Sequence, residues 1–148
     1  MGNFYASTQT PAGTNLTIIH LQSAATYRPA VQHIIIGSDA TPANLAGEFI
    51  LAATTAAPTG GTALTETPVD QAVTGVAQVS ALGGTFTTEP TYGNTFLMIP
   101  LNQQATFQWW ANPGFEPKAA VGTANGIGLR SVGHGGTPNI NTTIAWAE

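Results

Sequence analysis

Short runs rich in Thr, Val, Ile and aromatic residues recur along the chain, and ten prolines and seventeen glycines separate them too closely to leave a window for a long helix. The runs predict strands over residues 4–8, 16–21, 31–37, 48–54, 96–101, 105–111, 126–133 and 142–147. Asp39-Ala-Thr-Pro42, Pro58-Thr-Gly-Gly61, Gly83-Gly84, Asn112-Pro-Gly114 and His134-Gly-Gly-Thr-Pro138 supply turn chemistry between them. Many short strands at fairly even spacing predict an all-β fold. The expected architecture is an antiparallel β-sandwich, jelly-roll-like, with residues 1–148 forming one domain. The stretch 55–90 is the least regular. There Val69, Val73 and Val76 would allow one helical turn, cut short at Gly75, so a short helix and an extended loop both fit and at most one short helix is expected.

At 148 residues the chain can bury about two thirds of its unfolded surface and fold alone. Hydrophobic residues make up 43% of it, near the globular norm, whereas charged residues make up only 7%, far below the usual share. Thr, Ala, Gly, Asn and Gln fill the surface instead. Such a surface repels its neighbours little and costs little to desolvate, which suits a chain that works in contact with others. Only Arg28, Lys118 and Arg130 are basic, against seven acidic residues, so a phosphate backbone finds too few cations and nucleic acid is not expected as a partner. With no cysteine there is neither disulfide nor thiolate chemistry. The opening residues Met1-Gly-Asn-Phe-Tyr-Ala-Ser7 lack a basic start and an apolar run, and Ala6 stands where myristoylation needs Ser or Thr. No run approaches the ~20 apolar residues of a membrane span. These features lead us to expect a protein made in a cytoplasm, without a membrane partner.

The candidate chemistry is sparse. Gly126-Ile-Gly-Leu-Arg-Ser-Val-Gly133 superficially resembles a dinucleotide fingerprint, but its second and third glycines are too far apart and Gly135-Gly-Thr-Pro138 cannot start a helix. His20, His33 and His134 lie in separate segments without a second ligand at metal-site spacing, though folding could bring His20 and His33 together across strands. The carboxylates are scattered, and no serine sits in a nucleophile elbow. Neither an enzyme nor a cofactor is expected. Trp109 and Trp110 are adjacent in a strand and must point to opposite faces, so one is expected in the core and the other at an interface, on a sugar-stacking platform or under the protein's own loops. Arg130 lies in an otherwise uncharged strand, which predicts a carboxylate partner in the same subunit or the next. Trp109, Trp110 and Arg130 are therefore the interface candidates.

Three segments carry a resemblance: Gly60-Gly-Thr-Ala-Leu-Thr-Glu-Thr-Pro-Val-Asp70, Gln108-Trp-Trp-Ala-Asn-Pro-Gly-Phe-Glu-Pro117 and Asn141-Thr-Thr-Ile-Ala-Trp-Ala-Glu148. Together they resemble short virion structural proteins of tailed bacteriophages, in particular capsid decoration (cement) proteins. The resemblance implies a small β-sandwich or jelly roll on the capsid surface of the virion, whose partner is the major capsid protein and which carries no active-site residue. A homotrimer is expected for such a protein, because a closed ring of three suits threefold lattice positions. A tail or fibre-associated glycan-binding module is the alternative. A flat, Thr-rich apolar face would favour decoration, and a cleft holding two aromatics with clustered Asn or Asp would favour glycan binding.

Overall fold

The computed structural model describes every residue except Met1, Ala40, Val73 and Thr74. Among the described residues there are eleven strands and no helix: β1 (Asn3–Pro11), β2 (Leu16–Gln22), β3 (Ala30–Ser38), β4 (Ala46–Ala56), β5 (Thr59–Ala63), β6 (Thr67–Pro68), β7 (Ser80–Thr88), β8 (Thr91–Asn102), β9 (Phe107–Trp110), β10 (Gly126–His134) and β11 (Asn139–Ala147). They form two antiparallel sheets. The front sheet runs β6-β1-β11-β3-β9 and the back sheet runs β5-β7-β2-β10-β4-β8.

The pairing β1 with β11, β2 with β10, β3 with β9 and β4 with β8 is that of one long hairpin folded at its middle and rolled up. Rolling also sets β11 beside β3 and β10 beside β4, which gives the order of an eight-stranded jelly roll. All eight expected strands are these eight, although the run expected over 105–111 narrows to β9 and that over 96–101 lengthens into β8.

Side chains alternate across each strand, and the inward set builds one core between the sheets. Phe4, Ile34, Ile36, Ile140, Ile144 and Trp146 enter it from the front sheet, and Ile19, Leu21, Phe49, Leu51, Ile99, Ile127 and Leu129 from the back. Trp146 is fully buried and stacks on Phe4 with ring centroids 6.1 Å apart. The opening residues are thus part of the core, because β1 pairs along its whole length with β11.

The stretch 55–90 differs from expectation. Expected as a short helix or an extended loop, it holds β5, β6 and β7, an insertion at the fold of the hairpin; the helical turn considered at Val69, Val73 and Val76 includes Val73, which lies outside the described residues. Pro58-Thr-Gly-Gly61 and Gly83-Gly84, expected as turns, overlap β5 and β7. Their glycines still serve backbone geometry. Gly60, Gly61 and Gly84 have φ of 73°, 82° and 79°, and the register between β5 and β7 shifts at Gly60 and again between Gly60 and Thr62. Glycine therefore marks bulges here, not chain reversals.

The outer face of the back sheet is closed over by the end of this insertion. From β8, the Tyr92 ring lies against Gly128, where an added Cβ would stand 2.6 Å from the phenol oxygen. That oxygen reaches Thr17 Oγ1 at 2.8 Å, and Glu89, in the β7–β8 turn, accepts from both the Thr17 amide at 3.0 Å and the Thr17 hydroxyl. Burial pushes the Tyr92 hydroxyl well above its usual range, so it stays a neutral partner. Next to it His20 is fully buried, its Nε2 2.9 Å from Thr54 Oγ1 and its ring over Gly126. The glycines that superficially resemble a nucleotide fingerprint are thus spaces for two rings.

Burial lowers the His20 pKa from 6.5 to about 4, so the unfolded chain takes up a proton at higher pH than the folded one. Stability is expected to be fully present above pH 6.5 and to fall by roughly 3 kcal/mol from this residue as the pH drops to about 4. Urea unfolding at several pH values should show that loss in the wild type and a shallower one in His20→Asn. Equal losses in both would show that His20 is not held neutral by burial.

A second expectation concerns the glycine spaces. A Cβ on Gly126 would lie 2.3 Å from the Leu21 carbonyl oxygen, a backbone atom that cannot swing away. Gly126→Ala should cost about 2–3 kcal/mol of unfolding free energy, measured by urea denaturation, whereas a neutral effect would contradict the close approach.

Candidate functional site

The front sheet presents the opposite situation to the back sheet. Because Phe4, Ala6, Ile140, Thr142, Ile144, Ile34 and Ile36 turn inward, the alternate residues of β1, β11, β3 and β9 form its outer face. The strand registers place them in rows. One row is Tyr5, Ala145, His33 and Trp110, and the next is Ser7, Thr143, Ile35 and Gln108. A third runs through Gln9, Asn141 and Gly37, with Thr106 beside Gly37. Tyr5, Ser7, Gln9, Asn141, Gln108 and Trp110 are exposed, and none of the residues in these rows is charged. The rows run side by side across four strands, so this is a broad contact surface with little desolvation cost.

The two tryptophans divide as strand geometry requires. Trp109 packs against the core opposite Ile34, and Trp110 points outward and is 64% exposed. Trp110 stacks on His33 with ring centroids 3.5 Å apart and planes 9° from parallel. His33 in turn lies 3.0 Å from the Gln108 amide nitrogen through Nε2. Its pKa is lowered by burial, which keeps the imidazole neutral under the indole at neutral pH. The stack holds Trp110 in place, so little rotamer entropy remains to be lost when another surface covers it. His20 and His33 do not meet, since β2 and β3 belong to different sheets. Among the described residues no group of three His, Asp or Glu side chains is placed to hold a metal ion.

At one end of this face a groove of about 440 Å³ is lined by Tyr27, Arg28, Gln32, Glu116, Lys118 and Glu148, among others. Its acids are occupied. Glu148 accepts from the amides of Gln78 and Val79, and Glu116 accepts from the Gly114 amide and faces Lys118 at 3.8 Å. The Gly114 amide, aided by Lys118, holds the Glu116 carboxyl below its usual range. The groove gives the uncharged face a charged rim.

Of the two partners expected for Arg130, one in the same subunit or one in the next, the first is absent among the described residues. No carboxylate lies within 4.0 Å of it among the described residues, where the one ion pair is Glu116 with Lys118. Its guanidinium carbon instead lies 4.7 Å from the centre of the Tyr92 ring. A tyrosine crossing a glycine gap offered the cation a π-face within the same sheet. The Tyr92, Glu89 and Thr17 cluster was not among the sequence candidates, and the two glycines spaced two apart in β10 are the signal that could have found it.

No family model, curated protein or solved structure matches the chain.

The two tryptophans should behave differently on truncation. Trp109→Ala should lower the unfolding free energy by about 3 kcal/mol, the cost of a core cavity, and Trp110→Ala by less than about 1 kcal/mol. Chemical denaturation checks both, and equal losses would mean that Trp110 is part of the core.

Proposed function

We propose that the chain is a capsid decoration protein that lays the outer face of its front sheet against the major capsid subunits of an assembled phage head. The observation that carries this reading is the broad face of β1, β11, β3 and β9, whose three rows hold no charged residue, with Trp110 standing exposed on it. An exposed indole set among uncharged residues is the composition of an interface anchor, which excludes water from its surroundings when it docks. Jelly rolls occur in capsid and lectin domains alike, so the fold only agrees with the reading, and the face itself supports it. By binding the assembled lattice and not its separate subunits, such a protein raises the stability of the shell through mass action. The glycan alternative has less support at this site. One face of the Trp110 ring is taken by His33, and no Asn or Asp shares its row.

Rebinding to undecorated heads tests the reading. Wild-type protein should bind saturably and raise the temperature at which heads break. Trp110→Ala should bind about 30-fold more weakly, the loss typical of one interface anchor. Because the three rows hold no charged residue and charges lie only at the ends of the face, with Asp39 bonded by Gln9 at one end and the groove at the other, affinity should change only modestly between low and high salt. Saturable binding to host-surface polysaccharide with none to heads would replace decoration by the glycan reading.

A further inference from the structure

The outer face of the back sheet is closed over Thr17, His20, Ala52 and Thr54 but opens toward its β8 edge. Leu97, Ile99 and Leu101 of β8 turn to the core, so Phe96, Met98 and Pro100 turn away from it. Phe96 is 38% and Met98 61% exposed, and Pro100 is exposed as well. Across the sheet Ile50 stands opposite Met98 and Arg130 opposite Ile50, on this same side because Leu51 and Leu129 face the core. Glu48 stands opposite Pro100 and shares the side. The patch is thus an apolar stripe along an edge strand, bordered by Arg130 and Glu48; a second anion on this side, Glu89, is taken up by the Thr17 amide and hydroxyl.

Arg130 and Glu48 do not pair with each other, nor with any other charge among the described residues. Arg130 is half-buried, and its Nε is enclosed with no acceptor. A cation held partly out of water without a carboxylate is costly, and one arriving from outside would recover part of that cost. The edge strand β8 is itself twelve residues long, and a long exposed edge with apolar side chains calls for cover.

We propose that this patch docks on the same patch of a second copy of the chain about a two-fold axis, with Arg130 of each copy meeting Glu48 of the partner subunit. The charges select that occupant. A two-fold contact sets residue i against j and j against i, so a surface carrying an unpaired cation beside an unpaired anion complements itself. Such a contact closes at two copies, in place of the ring of three expected from lattice symmetry. It uses the opposite sheet from the head-docking face and is independent of that reading.

Sedimentation velocity of the purified chain across micromolar concentrations tests it without any head present. The wild type should sediment as a dimer, and Arg130→Glu and Glu48→Arg should each sediment as monomers with an unchanged β-type circular dichroism spectrum. Mixing the two single variants should restore a dimer, because each opposed pair again joins opposite charges, and so should the double variant carrying both. Met98→Glu alters an exposed side chain rather than the Tyr92 contact, and it should also give a monomer should Arg130→Glu fail to fold. A monomeric wild type, a trimeric mass, dimers that survive the single substitutions, or a mixture that stays monomeric would each overturn the proposal.

Discussion

Tyr92 laid across Gly128 to reach Thr17 is the contact on which the two-sided character of this sandwich depends. A jelly roll has two outer faces, and a chain with only 7% charged residues has little with which to solvate them. The back sheet solves this internally. Its β7–β8 turn folds over, Glu89 takes the Thr17 amide, and His20 meets Thr54 beneath through Nε2. The front sheet has no such cover, which leaves Trp110 and its uncharged row facing outward.

From this asymmetry follows a division of labour. Polar groups on the covered face are turned inward to hold an insertion, so they contribute to stability. Those on the open face are Ser, Thr, Gln and Asn side chains whose hydrogen bonds can be exchanged with a neighbour at small cost. The stack of Trp110 on His33 is ordered before any contact is made, as are the Ser7–Thr143 and Gln9–Asp39 side-chain pairs on the same face. Near the β8 edge the cover runs out, and Arg130 is left over the Tyr92 ring without an acceptor for its Nε.

The rolled hairpin was legible in the sequence because its eight strands carry β-branched and aromatic runs long enough to stand out between prolines and glycines. The opposed directions of Trp109 and Trp110 were legible for the same reason, since a strand alternates whatever its surroundings. The insertion was not. Its strands are built from Thr, Gly and Ala, as in Thr59-Gly-Gly-Thr-Ala63, with little apolar signal, and their register depends on bulges at glycines that read locally as turns. The contact Arg130 makes within the chain was not legible for a related reason. The residue that receives it, Tyr92, is distant in sequence, and only the sheet order brings the two together.

One sheet face lies open while the other is largely closed by the chain itself. Hydroxyl-radical footprinting of the free protein and of the same protein bound to heads measures both faces at once. The account predicts that Trp110 and Tyr5 are oxidised rapidly when free and protected when bound, while Tyr92 reacts slowly in both states. Protection confined to other residues, with Trp110 equally reactive in the free and bound protein, would contradict it.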